Sequence, residues 1–277
     1  MAQPVGGYTE TVGKREGTEV ALPKRIVHSI AIMPSDSCCE LKMLFERGLI
    51  ADDATIWCYE NGRQVAFDAM ERAVRRVVGQ YWTKAKIEKQ IKFLDYDASK
   101  CIIHLMALYC FDGEGAIVKQ FDWVYLDYCG VVDIEILDAL RKWDACFFTE
   151  DAEISVTSCH KLRYKSRELA PMLVKLAGRA SKVGAYARGG NADMHDIVIG
   201  TQVGIAEALP FGVTVRESLT YGRGMTTTRF SRVAGKKRVS GVFKAKVVNA
   251  RPKWARGMTG AQWAWHPKNP TGMRRAK

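Results

Sequence analysis

The chain has 277 residues, 47% hydrophobic and 26% charged, which excludes collagen, mucin and wholesale disorder. A chain of this length buries enough surface to fold without disulfides or zinc. Its net charge of +12 is segregated: Ser218 to Lys277 carries 15 Lys/Arg and no Asp/Glu, which leaves 27 basic and 30 acidic side chains before it.

Residues 1–25 show no hydrophobic periodicity and are expected to form a mobile arm. The polar, Gly-rich start of that arm has no apolar signal core. From Ile26 short apolar runs alternate with amphipathic ones, the pattern of an α/β sheet with crossover helices. His28 to Met33 reads as a strand, ended by Pro34-Ser-Asp. Ser37-x-x-Glu40 then reads as a capping box for a helix carrying Leu41, Leu44 and Phe45. Ala54 to Tyr59 is a second strand closing on Glu60-Asn-Gly, followed by a helix with Ala66, Met70, Ala73, Val77 and Tyr81 at helical spacing. Ile91 to Leu94 is a shorter strand. Cys101 to Tyr109 is apolar throughout and fits either helix or strand.

Phe121 to Leu126 reads as a strand running into Asp127-Tyr-Cys-Gly130, and Asp133 opens a helix with Ile136, Leu137, Leu140 and Trp143 on one face. Ala145 to Thr149 is the next strand, followed by a long loop and helical text around Leu169 to Leu176. After the Gly-rich stretch 184–190, Asp193 caps a last helix toward Ala208. Val213–Tyr221 and Met225–Val233 alternate as a β-hairpin about Gly222-Arg-Gly224. Beyond Val233 the text is basic and poor in apolar periodicity. The expected organisation is an arm over 1–25, an α/β domain over 26–233 and a basic, Trp-containing tail over 234–277.

Five βα units and a closing hairpin resemble the class I S-adenosylmethionine (AdoMet)-dependent methyltransferase fold, a mainly parallel Rossmann-like sheet ending in an antiparallel hairpin. The wording is most similar to small, divergent methyltransferase-like proteins of phages. The resemblance implies AdoMet as cofactor, held by Pro34, Ser35, Asp36 and Ser37 in the first loop, by Glu60 as ribose-binding carboxylate, and by Asp95 or Asp97 on the adenine side. It implies a catalytic role for Leu126-Asp-Tyr-Cys-Gly130, with Asp127 orienting the methyl acceptor and Tyr128 stacking on a base. Ligands of open α/β sheets bind at the carboxyl ends of strands, where all these residues fall. Two departures favour a scaffold that has lost its cofactor and serves as an adaptor or structural protein. The first loop, Pro34 to Cys39, contains no glycine, and Tyr-Cys-Gly stands where amino-methylating DNA enzymes carry Pro-Pro-aromatic.

Bland readings compete at each position. Strand ends are commonly acidic, Ser37 and Glu40 can cap a helix without any ligand, and His28, His104 and His195 read as structural. No Cys/His spacing suits zinc, so no metal is expected, and neither a nucleophile elbow nor a P-loop occurs. The eight cysteines all precede residue 160, without a C-x-x-C pair, and read as buried thiols of a reducing compartment, hence a cytoplasmic protein. No run approaches the roughly 18 apolar residues that span a bilayer, so no membrane partner is expected.

The one-sign C-terminal block points to a polyanion, RNA or DNA. Lys236, Lys237, Arg238, Lys244, Lys246, Arg251, Lys253 and Arg256 can neutralise phosphates, while Trp254, Trp263 and Trp265 can stack on bases. Docking of the same block on an acidic protein surface is the alternative.

Overall fold

The computed structural model describes residues 12–34, 38–60, 64–95, 120–128, 130–159, 173, 175–176, 194–221, 225–234, 239–240 and 246–247. Helix α1 (Val12–Ala21) leads into β1 (Val27–Ile32), α2 (Cys39–Glu46), β2 (Ile50–Glu60), α3 (Gln64–Val78), α4 (Lys84–Gln90) and β3 (Ile91–Asp95). Then come β4 (Phe121–Asp127), α5 (Ile134–Arg141), β5 (Phe148–Cys159), α6 (Met194–Ala208), β6 (Gly212–Tyr221) and β7 (Met225–Val233). These strands make one sheet in the order β3-β2-β1-β4-β5-β7-β6, extended beyond β6 by the two-residue strands β8 (Val239–Ser240) and β9 (Lys246–Val247). Neighbours from β3 to β5 are parallel, whereas β7 runs antiparallel to both β5 and β6. This is the expected mainly parallel sheet with its antiparallel hairpin.

Helices cover both faces, which is why β1 and β4 are buried along nearly their whole length. One face packs Ile30, Ile32, Ile56, Cys58, Trp123 and Tyr125 against Leu41 and Leu44 of α2 and Met70, Val74 and Val77 of α3. The other packs Trp57, Val124, Leu126, Ile154, Val156 and Phe230 against Leu137 and Leu140 of α5, Ile205 of α6 and Leu209 just after it. Asp133 caps α5 as expected, its Oδ1 accepting from the Ile136 amide at 3.1 Å.

Four expectations are corrected. Residues 12–25 are not an arm: α1 docks on β5, β6 and β7, and Val20, Ala21 and Leu22 are buried. The sequence hides this because part of what holds α1 is bonding of its backbone to distant side chains. The Ala21 carbonyl accepts from Trp123 Nε1 at 3.2 Å and Ser155 Oγ at 2.6 Å, and the Val20 carbonyl accepts from Arg229 Nε at 3.2 Å, so the last carbonyls of the helix are satisfied by the sheet.

Ala145–Phe147 is a single 3₁₀ turn rather than a strand, and β5 continues through the text expected to be a loop. Glu150, Asp151 and Glu153 make that text look solvated, yet Glu153 is buried on an ion pair with Arg229 at 2.7 Å. Helix α2 begins without a capping box: Cys38 takes the N-cap position at φ 47° with no side-chain cap, and Glu40 is fully buried. Ser37 lies outside the described residues. Finally, the segment after Val233 returns to the sheet, because β8 pairs with Val213–Thr214 and β9 with Leu219–Thr220 of β6.

Candidate functional site

Strand order reverses at β1, which has β2 on one side and β4 on the other. Beyond the carboxyl ends of these strands lies the crevice where open α/β sheets bind ligands. Pro34 follows the end of β1 and is buried, and the Met33 amide donates to the Tyr125 carbonyl at 3.0 Å, tying the end of β1 to β4. Glu60 is the last residue of β2, half-buried, and pairs in register with Asp95 at the end of β3. Asp127 ends β4, half-buried, beside Thr157 of β5. With β1 between them, the ends of β2 and β4 stand two strand spacings apart, about 10 Å.

The structure therefore brings Pro34, Glu60, Asp95 and Asp127 to one edge of the sheet. It separates Asp127 from Tyr128. Alternation sends Asp127 to the face carrying Tyr125 and α2, while Tyr128 packs on the opposite face against the cluster that contains Tyr59 and Leu126. The Tyr128 amide donates to the Thr157 carbonyl at 2.9 Å and the Cys159 amide to the Gly130 carbonyl at 2.8 Å, so β4 and β5 stay zipped past the strand end. A methyl group added at Gly130 would meet nothing within 4 Å, so the chain there faces open space. Ser35, Asp36, Ser37 and Asp97 lie outside the described residues, as do Lys236, Lys237, Arg238, Lys244, Arg251, Lys253, Trp254 and Arg256.

Other ionisable side chains are buried near these strand ends. Glu40, read in the sequence mainly as a capping acid, is buried in the first turn of α2. Burial pushes the Tyr125 phenol well above its ordinary range, and the negative charges of Asp127 and Glu40 push the same way against a Thr157 hydrogen bond. Tyr221, at the end of β6, is raised chiefly by burial, with Asp127 and Glu40 among the smaller contributions. On the opposite face burial raises Tyr59, and the neighbouring Tyr128 adds to the effect. One signal was available in the sequence: Tyr125 lies two residues before Asp127 on a strand and so shares its face.

AdoMet, which the fold resemblance implies, fits these residues. The loop after β1 lacks glycine, but Cys38 adopts the left-handed conformation that glycine would supply, at about 1–2 kcal/mol. Its side chain is fully buried in the core with Cys58 and Leu41. Glu60, half-buried at the end of β2, stands at the position that the resemblance gives to a ribose-binding carboxylate. Among the described residues no group of three or more His, Cys, Asp or Glu could hold a metal ion, and no helix is long and apolar enough to cross a membrane.

No protein-family model matches the sequence, and no curated protein matches it. Solved structures do. The fibrillarin/Nop5p complex is similar at 15% identity, over 74% of this chain and 73% of that one, with a TM-score of 0.43. TrmN from Thermus thermophilus is similar at 9% identity, over 79% of this chain and 48% of that one, with a TM-score of 0.42. A SAM-dependent methyltransferase from Aquifex aeolicus is similar at 8% identity, over 80% and 90% of the two chains, with a TM-score of 0.39. Overlaps this distant do not define a family. The class of protein defined by strand order is an open, doubly wound α/β protein with acidic residues at the strand ends that flank its switch point.

Proposed function

We propose that this protein is an AdoMet-binding methyltransferase, or a degenerate descendant of one, that acts on or is bound to nucleic acid. The observation that carries the reading is the placement of Glu60 and Asp127 at the two flanks of the switch point, in a parallel sheet closed by an antiparallel hairpin. Glu60 would accept hydrogen bonds from the ribose, with Asp95 beside it. AdoMet, when bound, supplies an electrophilic methyl group. Asp127 would accept a hydrogen bond from an acceptor amine or hydroxyl and hold it in line, so that catalysis rests on orientation and preorganised charge. Tyr128, on the other face, would bound the acceptor's position from the far side of the strand end.

The nucleic-acid part rests on charge and on β9. Strand β6 runs parallel to β5, because both are antiparallel to β7. Its carboxyl end therefore shares the site edge. Lys246–Val247 pairs with Leu219–Thr220, close to that end, so the backbone of these two residues lies toward the same edge of the sheet as Asp127.

Calorimetry with AdoMet tests the cofactor site. Wild type should bind, and Glu60→Ala should weaken binding by about 1.5–3 kcal/mol, the value of a hydrogen bond to a charged group. Failure of the wild type to bind would leave the adaptor reading. For the polyanion, affinity for duplex should fall with a log–log salt slope of about −5, given a footprint of five or six phosphates. A slope near zero would assign the basic block to a protein partner.

A further inference from the structure

A second basic block lies within the body of the chain. From Arg72 to Lys92 there are seven Lys/Arg and one acid, Glu88, which leaves 20 basic and 29 acidic side chains in the rest of residues 1–217. The structure folds the block into α3, α4 and the start of β3, with both helices packed on β2 and β3. Met70, Val74 and Val77 of α3 and Ile87 of α4 enter one apolar core, so both helices cover the same face of the sheet. Arg72, Arg75 and Arg76 stand about one turn apart on the other side of α3 and are exposed, as are Lys84 and Lys89 of α4. Arg75 pairs with Glu71 at 2.8 Å, Lys84 with Glu88 at 3.9 Å and Lys86 with Asp52 at 3.3 Å. Among the described residues, Arg72, Arg76 and Lys89 make no ion pair.

Helix stability does not account for this placement. Arg75 and Arg76 in the last turn of α3, and Lys89 in the last turn of α4, suit the helix dipole. Arg72, Lys84 and Lys86 do not. Arg72 repels Arg76 as a like charge at i and i+4. Lys84 and Lys86 open α4, whose first turn carries no acid, at the end where the dipole favours anions. Aromatic rings are interleaved with these cations. Arg75 lies over the Phe93 ring at 5.0 Å and Lys86 over the Trp82 ring at 4.5 Å. In the turn between the two helices Tyr81 stacks flat on Phe45 of α2, with ring centroids 4.7 Å apart, and is 41% exposed. Among the described residues it is the one Phe, Tyr or Trp so exposed.

We propose that the outer surface of α3 and α4 binds the phosphate backbone of a single-stranded nucleic acid, with the Tyr81 ring as a stacking platform for a base. Cations that track a backbone beside an exposed aromatic ring are what such a strand requires. An acidic protein surface would use the charges and leave the ring idle. The surface is separate from the C-terminal basic block. It lies at the β3 edge of the sheet, whereas β8 and β9 pair with β6 at the other edge, six strand spacings or roughly 30 Å away. The proposal rests on the nucleic-acid half of the function proposed above and is independent of AdoMet.

The test titrates the full-length protein, over a range of salt, against a fluorescent single strand of about 20 nucleotides, as RNA and as DNA, and against the matching duplex. Arg72→Ala with Arg76→Ala removes two cations from a helix that accepts alanine, and thermal melts establish that the variant is folded. On the single strand the log–log salt slope should become shallower by about 1.4, two contacts at about 0.7 each. Lys84→Ala with Lys89→Ala, on α4, should act alike and decides if the first variant fails to fold. Lys142→Ala with Lys175→Ala removes the same charge from exposed positions beside α5 and α6 and should leave the slope as it was. Tyr81→Ala should weaken the single strand about fivefold or more and the duplex less. Slopes unchanged in both α3 and α4 variants, with binding carried by the C-terminal cations, would overturn this surface and leave the nucleic-acid reading standing. A loss as large in the Lys142 and Lys175 variant, or a Tyr81→Ala loss equal on duplex and single strand, would overturn it too. A wild type that binds none of the probes would overturn the nucleic-acid reading and this surface together.

Discussion

The two faces of β4, β5 and β7 are built on opposite principles. On one, Val124, Leu126, Ile154, Val156 and Phe230 pack against α5 and α6 in an apolar layer. On the other, Glu153, Ser155, Thr157, Thr227, Arg229 and Ser231 lie equally buried beneath α1 and are joined by hydrogen bonds. The apolar face is held by burial, which is non-directional and tolerant. The polar face is held by specific partners, and those partners set where α1 lies. The lesson is that one strand set can carry stability on one side and geometry on the other.

That contrast can be broken most sharply at Arg229. Arg229→Ala strands Glu153 in the interior and should cost about 3–5 kcal/mol in chemical denaturation. The paired replacement Glu153→Leu with Arg229→Met should recover most of that loss. Leu126→Ala, on the apolar face, should cost about 2–4 kcal/mol by leaving a cavity. It should not be rescued by any single partner change, because no single partner defines it.

The smallest effect sharpens the comparison. Ser155→Ala removes the shorter of two hydrogen bonds to the Ala21 carbonyl and should cost about 1 kcal/mol, since Trp123 Nε1 remains. Hydrogen exchange should show the opening confined to α1, with the amides of β1 and β4 as protected as before. Loosening spread evenly over the sheet would mean that α1 is not the element this face serves.

Part of this was legible in the sequence. The apolar runs of β1 and β4, the alternation of the β6–β7 hairpin and the Asp133 cap are local patterns, and each appears where it was expected. Glu60 and Asp127 were found at strand ends by the same logic. The remainder was hidden for a common reason. The last carbonyls of helix α1 are recognised by side chains more than 100 residues away, as in the bond from Trp123 to Ala21. Strand β5 reads as a loop because its acids look solvated until Arg229 is placed beside them.

The sequence by itself determined the class of fold, the strand ends that bear carboxylates and the segregation of positive charge into the last fifth of the chain. Tertiary structure decided which polar residues are interior, that Asp127 and Tyr128 part to opposite faces, and that Glu40, Tyr125 and Tyr221 gather beside Asp127. The physical reason is that hydrophobic periodicity records how a segment meets solvent. A buried polar group is stable only when a distant segment supplies its partner, and that supply is visible in the folded chain.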